Sequence, residues 1–298
     1  MKIVITGSKG QLGNEIRRVI KAGFAEIGTI SEVYKESEVI PLDREELDIT
    51  NFKQVKETLD EIKADVVINC AAYTKVDVCE ENEDIAFKVN AIGPRNLAIG
   101  CEAIGAKLVQ ISTDYVFSGE DKRLLKEYDA TVPCSVYGKS KLQGENFVKE
   151  FSNKYFIVRT AWLYGYIGNN FVYTMMKLGK TRDELKVVND QLGNPTSAND
   201  LSYEILKVIL TEEYGTYHCT GKGECTWYDF ANKIMKLSNI DCEVLPCTSE
   251  EFSRLASKKT ARRPEYSSLD NMMLRCTIGD EMRRWELALE NFINNVIK

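Results

Sequence analysis

The first twenty residues constrain the fold of this chain more than any other stretch. An apolar run, Ile3-Val4-Ile5, is followed by the glycines Gly7, Gly10 and Gly13, and then by apolar residues at helical spacing. This order predicts a buried strand, a tight loop and a helix, as at the start of a dinucleotide-binding βαβ unit. The glycines would let a pyrophosphate approach the helix N-terminus, although a purely structural turn has the same pattern.

Apolar runs and helical patterns alternate along the rest of the chain, which predicts an α/β fold with a parallel sheet. Residues 22–37 are polar and irregular and predict a surface excursion. Asp48 or Thr50 would cap the helix that follows the second strand. The predicted strands after the first are 38–43, 65–72, 107–117, 155–159, 215–219 and 242–246, and the main predicted helices are 84–103, 136–148, 169–178, 200–210, 227–237 and 285–297.

Composition excludes several classes of function. The 298 residues carry a formal net charge of -6, which disfavours nucleic-acid and anionic-membrane partners. A single histidine, His218, argues against histidine-based metal sites and a Ser-His-Asp hydrolase, so it is expected to pack or to hydrogen-bond. Nine cysteines without a Cys-x-x-Cys motif fit a reducing cytoplasm. Neither a signal peptide nor a membrane span is apparent in the sequence.

Tyr137 and Lys141 form the strongest candidate for catalytic chemistry. They lie four residues apart at the start of a predicted helix, so both side chains share one face. A neighbouring ammonium stabilises a phenolate, which would lower the tyrosine pKa toward the working range. The pair therefore suits proton transfer to a ketone or alcohol oxygen. The alternative without a catalytic role is a solvated helix face with a packed tyrosine ring.

Two strand ends would meet this pair at the edge of the sheet where open α/β proteins bind ligands. Thr113 ends a strand that runs into hydroxyls and a carboxylate, although polar groups there also need partners for structural reasons. Ala71 and Ala72 end another strand, where small side chains let a cofactor or a helix lie close. Asp43, at the end of the second strand, can accept hydrogen bonds from a ribose, which favours NAD; Lys9 and Arg44 leave NADP open.

Taken in order, these motifs resemble the extended short-chain dehydrogenase/reductases, and within them the dTDP-4-dehydrorhamnose reductases. The resemblance spans nearly the whole chain. The phrases that carry it, beyond the glycine loop and Tyr137-x-x-x-Lys141, are Asn69-Cys70-Ala71-Ala72, Ser112-Thr113-Asp114-Tyr115-Val116-Phe117, Val158-Arg159-Thr160-Ala161-Trp162-Leu163-Tyr164-Gly165, Gly168-Asn169-Asn170-Phe171, Asn189-Asp190-Gln191-Leu192-Gly193-Asn194-Pro195-Thr196, Thr226-Trp227-Tyr228-Asp229 and Ala261-Arg262-Arg263-Pro264.

The resemblance implies a doubly wound Rossmann-type parallel sheet over residues 1–160. A smaller mixed α/β substrate domain would occupy 161–298, with segments near 190–220 returning to the first domain. The implied reaction is reduction of dTDP-4-dehydro-6-deoxy-L-mannose to dTDP-L-rhamnose by NADPH or NADH, the last step of dTDP-rhamnose biosynthesis. Tyr137 would give the proton, Thr113 would share the hydrogen bond to the sugar oxygen, and Lys141 would hold the nicotinamide ribose.

The same resemblance implies roles for further residues. Tyr73 stands where the family usually has histidine, which leaves that contact in doubt. Three of these assignments have a non-functional alternative. Asp114 could be a strand-end cap, Trp162 a core aromatic, and the pair Arg262 and Arg263 part of a solvated surface. The implied cofactor contacts are Gly7, Gly10, Gln11, Leu12, Gly13, Asp43, Asp48, Ile49, Ala71, Ala72, Tyr73, Tyr137 and Lys141, and the implied substrate contacts are Thr113, Asp114, Trp162, Asn170, Arg262 and Arg263.

Three matters stay open at this stage. Some relatives bind Mg²⁺ between subunits, and Glu15 matches one such position, but the sequence does not carry a full site. A homodimer is open for the same reason. The alternatives to a reductase are a non-catalytic nucleotide-binding regulatory subunit of the same fold, or a nucleotide-sugar epimerase or dehydratase that retains its NAD.

Overall fold

The computed structural model describes residues 1–255 and 260–297. In this part of the chain the strands are β1 (Lys2–Thr6), β2 (Phe24–Ala25), β3 (Gly28–Thr29), β4 (Glu38–Leu42), β5 (Val66–Asn69), β6 (Lys107–Thr113), β7 (Tyr155–Thr160), β8 (Leu163–Tyr164), β9 (Glu184–Val188), β10 (Leu192–Gly193), β11 (Thr196–Ser197), β12 (Gly215–His218), β13 (Cys225–Thr226) and β14 (Glu243–Cys247).

Helices connect these strands throughout. Within the same described ranges they are α1 (Gln11–Ala22), α2 (Phe52–Ile62), α3 (Val76–Glu81), α4 (Glu83–Phe87), α5 (Gly93–Ile104), α6 (Val136–Phe151), α7 (Phe171–Gly179), α8 (Ala198–Val208), α9 (Trp227–Leu237), α10 (Ser249–Leu255), α11 (Met272–Cys276) and α12 (Trp285–Ile297). None of them is long and apolar enough to cross a bilayer.

The central sheet confirms the predicted Rossmann-type fold. Its strands run in the order β12-β7-β6-β5-β1-β4, and each neighbouring pair is parallel. The strand order reverses between β1 and β5, because the chain passes from β1 to β4 on one side and then returns to β5 on the other. Such a switch point opens a crevice at the carboxyl ends of the strands.

Helices cover both faces of this sheet, which explains why its strands are apolar throughout. On one face, Ile16 of α1 and Leu201 of α8 pack against β1 and β7 in a buried core cluster. On the other, Val55 of α2, Leu97 of α5 and Val148 of α6 pack in a second cluster. The sheet therefore forms the middle layer of three, and its carboxyl edge is left free for a ligand.

The C-terminal half has a smaller core of its own. Its helices α7, α9 and α12 pack around Tyr164, Phe230 and Phe292, beside the parallel pair β9 and β14. Strand β12 nevertheless lies in the large sheet beside β7. The chain thus crosses to the smaller core after β7, returns to the sheet with α8 and β12, and returns again with Leu274 and Met282 before α12.

Residues 22–37 do not form the surface loop that the sequence predicted. The strands β2 and β3 pair as a hairpin, and a short 3₁₀ helix follows at Glu32–Glu36. Tyr34 is only 3% exposed, and its hydroxyl donates to the carbonyl of Leu206 in α8. The main-chain N–H of Glu26 donates to Asn199 at 2.7 Å. This segment therefore supports α8, through contacts far away in sequence.

The cap predicted for α2 is also wrong. Helix α2 begins at Phe52, and the side chain of Asn51 accepts a hydrogen bond from the N–H of Gln54. Asp48 instead accepts from Thr50 in the preceding turn. The first N–H groups of a helix have no acceptor within the helix, and asparagine is one of the residues that best supply one. The cap at Asn51 therefore places the start of α2 a few residues later than the sequence predicted.

Candidate active site

The crevice contains a cavity of about 530 Å³ at the carboxyl ends of β1, β5, β6 and β7. It brings together residues that lie far apart in the sequence, from Gly10 to Trp227. Among the residues that line it, those predicted as site residues are Gly10, Gln11, Leu12, Ala71, Ala72, Thr113, Asp114, Tyr137, Lys141 and Trp162. The structure therefore brings ten of the predicted site residues into one cavity.

The glycine loop at one end of the cavity is shaped for a phosphate. Gly7 has a φ of 62°, and a Cβ there would lie 2.7 Å from the main-chain nitrogen of Ala71. Gly10 precedes α1 without any side-chain cap, so the first N–H groups of the helix remain open to the cavity. Gly13 is buried in α1 against the loop. These features fit the pyrophosphate of a dinucleotide, because the helix N-terminus attracts anions and the glycines allow close approach.

Tyr137 and Lys141 both face the cavity from the first turns of α6. The helix begins after Ser135, whose hydroxyl accepts from the N–H of Gly138 at 3.1 Å. The ring of Tyr115 packs edge-on against Tyr137, with centroids 5.5 Å apart. The helix cap and this aromatic contact fix the tyrosine in place, so that its hydroxyl group is held at the cavity rather than free in solvent.

The ionisation of this pair differs from the sequence-based expectation. Burial raises the pKa of Tyr137 above its ordinary value, the charge of Asp114 raises it further, and a hydrogen bond with Thr113 opposes both. Burial lowers the pKa of Lys141 to about 8. The predicted lowering of the tyrosine pKa by the lysine is not found. Tyr137 therefore keeps its proton at neutral pH, as a proton donor must.

Thr113 and Asp114 form the floor of the cavity beside Tyr137. The hydroxyl of Thr113 donates to Oδ1 of Asp114 at 2.9 Å, and accepts from the N–H of Tyr115 at 3.2 Å. The other carboxylate oxygen, Oδ2 of Asp114, is buried and has no hydrogen-bond partner among residues 1–255 and 260–297. Burial raises the pKa of Asp114 to about 6. An unsatisfied buried oxygen in a cavity wall is what a hydroxyl-rich ligand would satisfy.

Trp162 lies in the same wall and has a strained backbone. Its φ is 46°, which is rare for a bulky residue and occurs mostly where function requires it. Its indole stacks on that of Trp227, with ring centroids 3.5 Å apart and an interplanar angle of 7°. Trp227 was not among the predicted site residues, although the motif Thr226-Trp227-Tyr228-Asp229 is one of those that carry the resemblance.

A second cavity, also of about 530 Å³, lies beyond this stacked pair, and Trp227 lines both. Arg262 and Arg263 line the second cavity together with apolar side chains of α7 and β9. Arg263 is paired with Asp77 at 3.0 Å. A guanidinium beside an apolar pocket suits a nucleoside diphosphate, since the base needs a dry surface and the phosphates need donors.

The remaining predicted contacts lie outside the walls of these two cavities. Asp43 follows β4 and stands 3.9 Å from the ammonium of Lys9. Ile49 is buried beneath α5, next to the turn that contains Asp48. The main-chain N–H of Tyr73 donates to Asn90 at 2.8 Å. Asp43 is still at the edge of the sheet expected for the adenosine end of a dinucleotide. Tyr73 packs against a small core cluster that Tyr137 also contacts.

Asn170 has protein partners for its whole amide group. Its oxygen accepts from the N–H of Tyr173 and caps α7. Its nitrogen donates to the carbonyl of Gly165 at 2.9 Å and to Oε1 of Gln11 at 3.0 Å. Gln11 in turn donates to the carbonyl of Leu163. These bonds link Asn170 to the glycine loop. The substrate contact that the resemblance implies for Asn170 stays a prediction.

Glu15 does not fit a metal ligand in this chain. It is 1% exposed, and its oxygens accept from Arg18 at 3.1 Å and from Asn199 at 2.7 Å. In residues 1–255 and 260–297, no group of three or more His, Cys, Asp or Glu side chains has the arrangement of a metal site. His218 is buried, with ring nitrogens facing the carbonyl of Leu125 and the guanidinium of Arg159, and burial lowers its pKa to about 3.

A doubly wound parallel sheet with a glycine loop and a Tyr-Lys pair in its crevice defines an extended short-chain dehydrogenase/reductase. The family model described as "RmlD substrate binding domain" matches residues 1–297. The chain belongs to this family, that of the dTDP-4-dehydrorhamnose reductases.

Two solved structures and one further relative match this chain over nearly its full length. A dTDP-4-dehydrorhamnose reductase of Clostridium acetobutylicum is 54% identical with a TM-score of 0.93, and the match covers 100% of both chains. The reductase of Bacillus anthracis, solved in complex with NADP, is 46% identical with a TM-score of 0.90 over 99% of each chain. A spore coat polysaccharide biosynthesis protein of Bacillus subtilis is 38% identical over 98% of this chain and 96% of its own.

Proposed function

We propose that this protein reduces dTDP-4-dehydro-6-deoxy-L-mannose to dTDP-L-rhamnose with NADPH or NADH. The observation that carries this proposal is the shared cavity of Tyr137, Lys141 and Thr113 beside an open helix N-terminus. Relatives with the same fold over their full length are named for this reduction, and one was solved with NADP. A protein that only bound nucleotides would not need a tyrosine, a lysine and a threonine in this arrangement.

The residues of this chain account for the proton side of the reaction. The dinucleotide, when bound along the glycine loop, supplies the hydride to the C4 carbonyl carbon. Negative charge then develops on the carbonyl oxygen, and Tyr137 donates its proton to that oxygen. The raised pKa of Tyr137 suits this direction, because the proton is still present at neutral pH. Thr113 has one hydroxyl proton, which is donated to Asp114 in the free protein. When substrate binds, this hydroxyl would turn to the sugar oxygen and donate a second hydrogen bond beside the phenol.

Lys141 serves cofactor binding in this proposal. Its side chain is 4% exposed, and its ammonium is held at the cavity by a hydrogen bond to the carbonyl of Ile111. From there it would donate to the hydroxyls of the nicotinamide ribose. The loop N–H groups after Gly10 would bind the pyrophosphate, and Asp43 would bind the adenosine ribose. Asp114 and Trp162 would contact the sugar.

The second cavity is proposed as the place of the dTDP group. Arg262 and Arg263 would bind the diphosphate, with the pyrimidine against the apolar wall. On this basis we assign residues 1–160 to cofactor binding and most of 161–298 to substrate binding. The nine cysteines are all free, which supports a cytoplasmic site of action. A homodimer is the expectation from the resemblance, and sedimentation analysis tests it.

A reduction assay tests the proposed function directly. The purified protein is mixed with NADPH or NADH and with several nucleotide-linked 4-keto-6-deoxy sugars, and the product is identified by mass and NMR. We expect oxidised cofactor to appear in stoichiometry with dTDP-L-rhamnose. Binding of cofactor and nucleotide without turnover would instead favour a regulatory subunit. Conversion of the sugar without net oxidation of added cofactor would favour an epimerase or dehydratase.

A further inference from the structure

The contact between Trp162 and Trp227 is closer and flatter than core aromatic packing requires. Aromatic pairs in cores prefer offset or edge-on arrangements with centroids about 4.5–7 Å apart. Here the centroids are 3.5 Å apart, the planes are nearly parallel, and both rings are half-buried at a cavity wall. Trp162 also holds a φ of 46° to reach this position. A strained residue in a close stack beside the cavity needs a reason other than burial.

Trp162 is tied to the reacting end of the cavity by strand register. Thr160, the last residue of β7, is the register partner of Thr113 at the end of β6. Trp162 follows two residues later and lines the same cavity as Thr113, whose hydroxyl is proposed to bind the sugar oxygen. Any rotation of this ring changes the shape of the cavity where the sugar would lie.

Two residues outside the predicted site determine where that ring lies. The Nε1–H of Trp227 donates to Oε1 of Gln191 at 3.2 Å, and Gln191 donates to the hydroxyl of Ser249 at 2.8 Å. These bonds fix the plane of Trp227, on which Trp162 stacks. In β10, a Cβ at Gly193 would lie 2.4 Å from Cε2 of Trp162, so only glycine leaves room for the indole.

The two residues are connected through the backbone as well. Gly193 of β10 pairs with Cys225 of β13, and Trp227 follows that strand directly. The same two-strand ladder therefore positions both Trp227, on which Trp162 stacks, and Gly193, which leaves room for the Trp162 indole. Trp227 also lines both cavities, so this ladder joins the sugar end of the site to the end proposed for the nucleotide.

We propose that Trp227 and Gly193 are positioning residues that fix the indole of Trp162 in the catalytic cavity. Trp227 supplies the stacking plane, and Gly193 supplies the space. With the indole fixed, the sugar ring binds with its C4 oxygen directed to Tyr137. This inference rests on the proposed function, since the orientation matters only if a sugar ketone is reduced in this cavity.

The variant Gly193→Ala tests this proposal without removing any side chain of the site. The added methyl group displaces the Trp162 ring, while the backbone of β10 needs no unusual conformation. Gly28→Ala is the matched control, because Gly28 lies in an equally short strand and its Cβ would make only an ordinary contact, 3.4 Å from Tyr203. Trp227→Ala and Trp227→Phe complete the set, the second retaining an aromatic plane.

Three readouts separate positioning from a loss of structure. Stacked indoles couple excitonically and give a couplet in the far-ultraviolet circular dichroism spectrum, and Trp285→Phe shows that the third tryptophan does not contribute to it. Thermal unfolding reports whether each variant is folded. The kcat for sugar reduction and the Kd for NADPH then show whether chemistry or cofactor binding has changed.

We expect Gly193→Ala and Trp227→Ala to lose the couplet and to lower kcat about 10- to 100-fold, as misplacement of a substrate by about 1 Å does. The Kd for NADPH should stay within about twofold, and Trp227→Phe should recover most of the kcat. Folded Gly193→Ala or Trp227→Ala protein that loses the couplet but keeps the wild-type kcat would overturn the proposal and leave the proposed function intact; Trp227→Phe also loses the couplet, and only its kcat is compared. A wild-type protein that shows the couplet but reduces no 4-keto sugar would overturn the proposed function, and the positioning role with it.

Discussion

The ammonium of Lys141 donates a hydrogen bond to the main-chain carbonyl of Ile111, with Nζ and O 2.6 Å apart. The bond joins helix α6 to strand β6 at the floor of the cavity, one turn beyond Tyr137. Because the lysine is buried, its pKa falls to about 8. Lys141, which is proposed to hold the nicotinamide ribose, therefore changes its charge within the pH range in which the protein can be assayed.

We predict that the affinity for NADPH falls as the pH rises through about 8, because the neutral amine is the weaker hydrogen-bond donor. Lys141→Met should weaken NADPH binding about tenfold or more at pH 7 and abolish this pH dependence. Isothermal titration calorimetry between pH 6 and pH 9.5 measures both effects. Lys139→Met, on the exposed side of the same helix, is the control. An unchanged pH profile in Lys141→Met would contradict the assignment.

The buried carboxyl of Asp114 predicts a pH-dependent stability. Its pKa in the folded protein, about 6, lies above the ordinary value of an aspartate, so the folded state binds more protons between about pH 4 and pH 6. Rising pH therefore removes stability across that window. Asp114→Asn cannot ionise and should gain roughly 1–3 kcal/mol of unfolding free energy relative to the wild type at pH 8, and nothing below about pH 4.

Urea unfolding at a series of pH values measures the difference between Asp114→Asn and the wild type. Asp183→Asn is the comparison variant, because Asp183 is exposed and its substitution removes the same formal charge. We expect the wild-type curve and the Asp183→Asn curve to run parallel across the window. A difference between wild type and Asp114→Asn that stays constant from pH 4 to pH 8 would show that the carboxyl is not ionising in the folded protein as described.

The surroundings of Lys9 predict how the choice between NADH and NADPH can be altered. Its ammonium has Asp43, Glu45 and Glu46 each at 3.9 Å. If Asp43 binds the adenosine ribose, its charge repels a 2′-phosphate at that place. Asp43→Asn should therefore shift the ratio of kcat/KM values toward NADPH by about tenfold. Glu45→Gln removes a charge from a more exposed side chain, and an equal shift in that variant would argue against Asp43 as the ribose contact.

Local sequence patterns were enough to predict the sheet and the residues at the centre of the candidate cavity, Thr113, Tyr137 and Lys141. The runs that became β1, β6 and β7 are apolar on both faces, which is a short-range signal of a strand between two layers of helices. The glycine spacing and the Tyr-x-x-x-Lys spacing are also short-range. Parallel strands place their carboxyl ends on one edge, so the meeting of Thr113 with Tyr137 followed from topology alone.

Contacts between distant segments could not be predicted in this way. Tyr34 bonds to Leu206, and nothing local in residues 22–37 indicates that this segment supports α8. The amide of Asn170 reaches Gln11 across 159 positions of the chain. The partner of Trp162 is a ring 65 positions further on, and the raised pKa of Tyr137 comes from burial that no spacing reveals. Each depends on how segments far apart in the sequence pack together.

The proton donor is the centre of the proposed chemistry, and the variant Tyr137→Phe tests it most directly. Phenylalanine keeps the ring that packs edge-on against Tyr115 and removes only the hydroxyl. Tyr128→Phe is the control, because Tyr128 is 69% exposed. The measurement is the kcat for reduction of dTDP-4-dehydro-6-deoxy-L-mannose, with the Kd for NADPH determined on the same samples. We predict a kcat at least about 100-fold lower in Tyr137→Phe, with a nearly unchanged Kd; a kcat equal to that of the wild type would contradict the role of Tyr137 as the acid.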